Sequence, residues 1–257
     1  MQIEGGAYYD GEINKKSLKR DGFGAQVWKN GSMYEGEWRD DRANGHGRLI
    51  YEDGEYFEGD FRNDRPNGSG SYHYNDGTVY NGDFSENKPN GKGTETYGDG
   101  SSFTGEFVNG DKRYGEFKWP DGSRYLGEYS NNVMHGSGQY EWPDGRRYEG
   151  QWSNNKMHGE GSFFFPDGRT YVGSYRYDKK DGRGVYSWPD GRKYEGEFHQ
   201  GKQHGTGTFV SANGERRVAE FRNGERIRWL DEKDDDDEED DNDDYSYQDQ
   251  DDDYSRY

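Results

Sequence analysis

The chain has 257 residues, no cysteine and a formal net charge of −19. The lack of thiols excludes disulfides and thiolate metal sites, and the acidic balance argues against nucleic-acid binding, which needs a basic surface. Leu, Ile, Val and Phe together number only 29, whereas Tyr, Trp and Gly number 23, 7 and 41. This composition excludes a thick two-layer globule, but aromatic rings can still bury a shallow core.

A five-residue phrase recurs along the chain: an aromatic residue, any residue, glycine, an acidic or polar residue and a second aromatic. A weak copy around Gly11 comes first, and a decayed copy with Ala219 in the glycine position comes last. The full copies have their glycines at Gly36, Gly59, Gly82, Gly105, Gly127, Gly150, Gly173 and Gly196. Successive glycines are 23 residues apart, except for one step of 22 between Gly105 and Gly127. A constant period predicts one small unit stacked on itself about ten times.

One unit contains two predicted strands. Arg147–Trp152 alternates between aromatic or glycine and polar residues, which is typical of a half-buried strand. Residues 153–157 have the composition of a turn, and residues 158–165 form the second predicted strand. Pro166, Asp167 and Gly168 then form a tight turn into the next unit. The sequence therefore predicts an antiparallel meander of tandem β-hairpins.

The strand glycines require an explanation, because glycine weakens the interior of a strand. We expect aromatic rings of one strand to lie over the bare glycines of its neighbour, a recognised way to stabilise a sheet. In this unit, Tyr148 and Trp152 would cover Gly159 and Gly161. The aromatic residues are therefore predicted to be the core of the structure.

A second phrase, His, Asn or Asp followed by Gly-x-Gly, begins the second strand of most units. The fifth copy departs from it, since Lys112-Arg113-Tyr114-Gly115 stands in its place after a loop one residue short. This departure coincides with the single short step of the period. We expect a local kink or a binding irregularity at residues 108–116.

The two phrases, together with Pro-Asp-Gly turns at Pro120, Pro143, Pro166 and Pro189, resemble the MORN repeat (membrane occupation and recognition nexus). The resemblance covers about residues 7–224. It implies an all-β, elongated, single-layer antiparallel meander of hairpin repeats that acts as a scaffold. A chain made almost entirely of repeats with an acidic C-terminal tail is most similar in layout to the radial spoke head MORN proteins of cilia.

The predicted organisation is an array at residues 1–230, with degenerate repeats capping its ends, and an acidic disordered tail at 231–257. The tail holds 16 acidic and 2 basic residues. Its run from Asp234 to Asp241 lacks the glycine and terminal glutamate of an EF-hand loop, so solvated disorder is the main interpretation. Weak Ca²⁺ binding and contact with a basic partner are the alternatives.

We predict no catalytic residue, no metal site and no cofactor. His46, His135, His158 and His204 each belong to a separate copy, so they cannot all converge on one metal or substrate. Paired acidic residues around the central glycine also recur in most copies, which indicates cross-strand charge pairing on a solvated face.

The predicted function is a non-enzymatic structural scaffold that presents an aromatic groove to other proteins of a large assembly, with self-association also possible. The expected location is the cytoplasm and cytoskeleton, in a ciliary axonemal assembly such as the radial spoke head. The predicted partner-binding residues are Tyr34, Trp38, Tyr125, Tyr129, Tyr148, Trp152, Tyr171, Tyr175, Tyr194 and Phe198.

The alternative is a peripheral membrane or cytoskeletal adaptor that binds anionic phospholipids. Lys and Arg near an anionic membrane surface contribute about 1 kcal/mol each to binding. Basic clusters stand at Lys15-Lys16 with Lys19-Arg20, Lys112-Arg113, Arg146-Arg147, Lys179-Lys180 and Arg216-Arg217. They are scattered along an acidic body, so membrane contact is the less favoured hypothesis.

Overall fold

The computed structural model describes Gln2 and residues 4–231. The predicted disordered tail lies outside these residues, apart from Asp231. The chain divides into two units, one formed by residues 1–122 and 130–132, the other by residues 123–129 and from 133 onward.

The first unit contains a 3₁₀ turn at Glu4–Gly6 and ten strands. These are β1 (Tyr8–Ile13), β2 (Arg20–Val27), β3 (Met33–Arg39), β4 (Arg42–Ile50), β5 (Tyr56–Arg62), β6 (Arg65–His73), β7 (Val79–Ser85), β8 (Lys88–Thr96), β9 (Ser102–Val108) and β10 (Asp111–Lys118). Each strand from β1 to β9 pairs antiparallel with the strand that follows it.

The second unit contains a further ten strands. These are β11 (Arg124–Ser130), β12 (Val133–Glu141), β13 (Arg147–Ser153), β14 (Lys156–Phe164), β15 (Thr170–Arg176), β16 (Lys179–Ser187), β17 (Lys193–His199), β18 (Lys202–Val210), β19 (Arg216–Arg222) and β20 (Glu225–Trp229). From β12 onward, consecutive strands pair antiparallel. The prediction of an all-β antiparallel meander of hairpins is confirmed, and the described residues contain no α-helix.

The turn within each hairpin is shorter than the sequence predicted. Only Asn154 and Asn155 separate β13 from β14, and both have positive φ, at 51° and 64°. Positive φ at both central residues is the type I′ pattern, whose twist suits a two-residue hairpin, and asparagine tolerates it well. The predicted turn over 153–157 was therefore too long, and the second strand runs over Lys156–Phe164 instead of 158–165.

The turn between successive hairpins is confirmed in its predicted form. Gly168 donates its N–H to the Phe165 carbonyl at 3.0 Å and has a φ of 90°. Pro166 follows Phe165 and occupies the position where a fixed φ near −65° is required. The left-handed φ at Gly168 then returns the chain into the next strand.

A bulge interrupts the pairing inside each hairpin. Gly150 pairs with Gly161, but Trp152 pairs with Met157, so the register shifts between them. The shift is absorbed at Gly159, whose φ is +66°. The prediction that the rings of Tyr148 and Trp152 cover Gly159 was wrong, because a Cβ at Gly159 would point at the Gln151 side chain. Gly159 is required by the backbone conformation of the bulge, and only Gly161 lies beneath a ring.

Within residues 108–116 the fifth hairpin departs from the others in register, and the kink or binding irregularity predicted there stays a prediction. In β10 the register with β9 shifts between Lys112 and Tyr114, and Tyr114 pairs directly with Glu106. Gly115 still pairs with Gly105, as the corresponding glycines do in the other hairpins. The turn keeps its two residues between β9 and β10, so the missing residue shortens the bulge and leaves the glycine pairing intact.

Candidate partner-binding face

Aromatic side chains of successive strands share one face of the sheet. Tyr140 pairs with Tyr148, Tyr148 with Phe163, and Phe163 with Tyr171. Directly paired residues of an antiparallel sheet point to the same side. We call this side the aromatic face. The residues between them, such as Glu149, point to the opposite face.

The first and last rings of each phrase form a continuous edge-to-face chain, which we call the aromatic ladder. In the second unit, neighbouring ring centroids are 5.0–5.3 Å apart and ring planes cross at 82–89°. Its members are, in order, Tyr125, Trp152, Tyr148, Tyr175, Tyr171, Phe198, Tyr194 and Phe221.

The first unit contains its own ladder of Tyr9, Trp38, Tyr34, Phe61, Phe57, Phe84, Tyr80, Phe107 and Phe103, with centroids 4.8–5.5 Å apart. Edge-to-face pairs contribute about 0.5–1.5 kcal/mol each beyond their buried area.

The first ring of each phrase lies directly on bare backbone. A Cβ built on Gly161 would come within 2.5 Å of Cε2 of Tyr148, and one on Gly150 within 2.6 Å of the Tyr148 hydroxyl. That hydroxyl donates to the Gln151 carbonyl at 2.9 Å. Burial raises the pKa of Tyr148, which keeps the phenol protonated as this bond requires. The predicted covering of strand glycines by rings is confirmed for this pair.

The tryptophans of the ladder connect successive hairpins. The indole Nε1 of Trp152 donates to the Gly138 carbonyl at 3.1 Å, and that of Trp38 donates to the Gly24 carbonyl at 3.0 Å. Each bond spans 14 residues and reaches back to the preceding strand. A buried indole thus finds the hydrogen-bond partner that it needs.

Nine of the ten residues predicted to bind a partner belong to the ladders, and the tenth, Tyr129, packs edge-to-face on Tyr125 with ring centroids 5.3 Å apart. Nine of the ten are between 0 and 4% exposed, and Tyr129 is half-buried. Most of their surface is therefore in contact with the chain's own rings and glycines. Their role in binding a partner stays a prediction, and any partner would reach them mainly through their neighbours.

Sequence reasoning missed a hydrogen-bonded latch between hairpins. Asp178, the second turn residue after β15, accepts the Met157 N–H on Oδ1 at 2.8 Å and donates its own N–H to the Met157 carbonyl at 3.0 Å. Asn155 holds Met134 in the same way. Burial raises the pKa of Asp178. The recurrence of Asp or Asn at the second turn position was the available signal.

A cavity of about 710 Å³ lies in the first unit. Trp28, Leu49 and Tyr51 are half-buried along its wall, and Trp38 of the ladder also lines it. The guanidinium carbon of Arg20 lies 4.1 Å from the Trp38 ring centroid, so a fixed cation is stacked at the edge of an aromatic surface. Concave, mostly apolar spaces with a few polar groups are typical of binding sites.

The repeat geometry agrees with a family model. The MORN repeat model matches nine successive segments, at residues 19–33, 34–56, 57–79, 80–102, 103–124, 125–146, 148–168, 171–191 and 194–216. The chain belongs to the MORN repeat family. No curated protein matches it significantly.

Several solved structures are similar to the MORN chain over long stretches. The TCP10 domain of Danio rerio CPAP, in complex with a peptide of Danio rerio STIL, has 16% identity and a TM-score of 0.36, covering 86% of this chain and 98% of that one. A virginiamycin B lyase from Staphylococcus aureus has 14% identity and a TM-score of 0.17, covering 85% and 76%. Such low TM-scores do not indicate a common overall fold, so no function is carried over from these proteins.

The acidic residues of the MORN phrase have a structural role at the bulge. Glu37 accepts the His46 N–H at 3.3 Å, and Asp60 accepts the Ser69 N–H at 3.1 Å. In the hairpin of β13 and β14, Gln151 has the same role. Within the described ranges, no group of three or more His, Cys, Asp or Glu side chains is placed to hold a metal ion.

Some side chains of the basic clusters make contacts within the MORN repeats. Arg20 stacks on Trp38, and Lys112 lies 2.6 Å from a carboxylate oxygen of Glu95. Lys180 is fully buried, with Nζ 5.4–5.9 Å from the centroids of three rings. One member of each of these clusters therefore turns toward the aromatic face. In the described part of the chain, no helix is long and apolar enough to cross a membrane.

Proposed function

We propose that this MORN protein is a non-enzymatic scaffold that docks segments of other proteins on its aromatic face. The observation that carries this proposal is the aromatic ladder, which repeats with the same geometry from hairpin to hairpin. Solenoid-like arrays use such repetition to build extended binding surfaces. The polar residues that could suggest chemistry, such as Glu37 and Asp60, are instead occupied in capping the bulges.

The docking position that the geometry favours is the cavity of the first unit. Its half-buried Trp28 and Tyr51 offer ring surface that the ladder residues do not. Buried aromatic anchors in well-packed pockets dominate the binding energy of protein interfaces. A partner segment with an apolar anchor would fill the cavity and rest on Trp38.

The assembly we propose is ciliary, such as the radial spoke head. Support for this comes from the layout of the chain, in which repeats are followed by a strongly acidic C-terminal segment. The test is co-purification with isolated axonemes. Wild type should be retained through salt washes, and recovery only in a soluble monomeric pool would refute the proposal.

The matched variants separate docking from folding. Trp28→Ala with Tyr51→Ala removes the cavity wall, and Tyr56→Ala removes a half-buried ring on the other face, stacked on His73 at 4.2 Å. We expect retention on axonemes to fall at least tenfold for the double variant and to be unchanged for Tyr56→Ala. Equal losses would indicate a folding effect, so both variants are compared with wild type by urea unfolding.

The alternative of a phospholipid-binding adaptor is less favoured by the structure. Arg20, Lys112 and Lys180 are directed into the aromatic face, which removes one positive charge from what each of these three clusters could offer a membrane. Flotation with phosphatidylinositol phosphate vesicles distinguishes the two functions. Salt-sensitive flotation of wild type would favour the membrane adaptor.

A further inference from the structure

The last hairpin departs from the repeat in composition. In β19, Arg217 and Ala219 stand where β17 has Tyr194 and Gly196. Between residues 216 and 228 the chain has five arginines and only two glutamates. The arginines are Arg216, Arg217, Arg222, Arg226 and Arg228. The end of the array is thus basic, although the chain as a whole is acidic.

Two of these arginines stack on one ring. The guanidinium carbons of Arg217 and Arg226 lie 3.8 Å and 4.4 Å from the Trp229 ring centroid. On the opposite face, Nε of Arg228 lies 2.9 Å from Glu220 Oε2. Cation–π and ion-pair contacts therefore hold three of the five arginines beside β20.

β20 is the last strand of the sheet. It pairs with β19, and no other described strand pairs with it. Ile227 and Leu230 remain 49% and 45% exposed. An open edge with exposed apolar residues is a template on which a second chain can pair. At the other end, the chain's own N-terminal segment covers part of the β1 edge, because Gln2 forms a bridge with Tyr8.

The acidic segment begins at this open edge. Leu230 donates its N–H to the Val218 carbonyl at 2.7 Å, and Asp231 accepts the Val218 N–H at 2.9 Å, so the chain leaves β20 alongside β19. Residues 234–241 are eight consecutive carboxylates. Eight extended residues reach roughly 26 Å, whereas the five residues of β20 span roughly 17 Å. The run is long enough to follow the whole edge.

We propose that residues 234–241 fold back along the open edge of β20, held by the arginines of the last hairpin, and prevent two copies from joining edge to edge. The occupant of the edge is the chain's own acidic run. Its charge is opposite to that of the hairpin, and it is tethered only a few residues away. This inference does not depend on the proposed scaffold function.

Substitutions in the acidic run test the proposal on the full-length chain. The near-run variant replaces the eight carboxylates of 234–241 with Asn or Gln at constant length. The control replaces Asp249, Asp251, Asp252 and Asp253 with Asn, which removes half as many charges at positions farther along the sequence from β20. Both sets lie outside the described sheet, so the repeats should fold in each variant.

The readouts are amide hydrogen exchange of β20 and molar mass by light scattering. In the near-run variant we expect β20 amides that are not bonded to β19 to exchange at least tenfold faster. We also expect self-association at concentrations where wild type is a monomer. Wild type in 1 M NaCl should shift in the same direction, because salt screens exposed charges. The far-run control should match wild type.

Three results would overturn the proposal. One is identical β20 exchange in wild type and the near-run variant. Another is an equal effect of the far-run control, which would indicate a general charge effect. The third is a wild-type dimer in which the acidic run of one copy protects β20 of the other, since the occupant would then be a second copy.

Discussion

Gly161→Ala tests whether ring-over-glycine packing stabilises the array. Gly161 has no left-handed φ, so alanine suits its backbone and the substitution adds only a methyl group. That methyl would lie 2.5 Å from Cε2 of Tyr148, whereas carbon atoms pack at about 3.5–4.0 Å. The ring must therefore move by about 1 Å.

Tyr148 has little room to move. Its centroid lies 5.2 Å from those of both Trp152 and Tyr175, and its hydroxyl is bonded to the Gln151 carbonyl. Overpacking typically costs about 1–3 kcal/mol, and a lost hydrogen bond about 0.5–1.5 kcal/mol. Alanine recovers about 0.4–1 kcal/mol through the unfolded chain. We expect Gly161→Ala to destabilise the protein by about 2–3 kcal/mol.

The assay is urea unfolding followed by tryptophan fluorescence, with an m-value check for cooperativity in a repeat array. Tyr148→Leu, alone and combined with Gly161→Ala, completes a double-mutant cycle. A smaller side chain leaves space for the methyl, so we expect a coupling energy of at least about 1 kcal/mol. Additive losses, or a loss below about 0.5 kcal/mol for Gly161→Ala, would refute the packing argument.

Three further substitutions test the latch, the buried lysine and the ladder. Asp178→Asn keeps the acceptor for the Met157 N–H. Because burial raises the folded pKa of Asp178, the stability of wild type should fall relative to that of the variant as the pH rises above about 4. Thermal melts over a range of pH check this, and the difference should vanish in acid. Lys180→Met introduces methionine, the residue that the preceding repeat has at the equivalent position, Met157. It should raise the free energy of unfolding in urea by about 1 kcal/mol, and a decrease would contradict the prediction. Trp152→Phe keeps a ring but removes the bond to the Gly138 carbonyl, and should lower stability by about 1–2 kcal/mol in the same assay; an unchanged midpoint would show that this bond is dispensable.

The candidate site could be predicted from sequence only in part. The periodic spacing of Tyr148 and Gly150 identified the rings and glycines that pack together, because alternation along a strand assigns residues to a face. The separate role of Gly159 was missed, because a bulge depends on how two strands pair and leaves no mark in the alternation of one strand. The burial of Lys180 was missed for a related reason, since two of its three ring neighbours, Phe165 and Tyr171, lie outside its own strand.

The amino-acid order by itself determined the hairpin repeat, its period and the turn at Pro166, since each follows from local conformational preference and a pattern that recurs every 23 residues. Only the tertiary structure decided which surfaces remain for a partner. Nearly all the area of the ladder rings is buried, because the rings pack on one another and the first ring of each phrase also lies on strand glycines. Exposure therefore remains at positions such as Tyr51 and the edge of β20, which a repeating sequence does not distinguish from their buried counterparts.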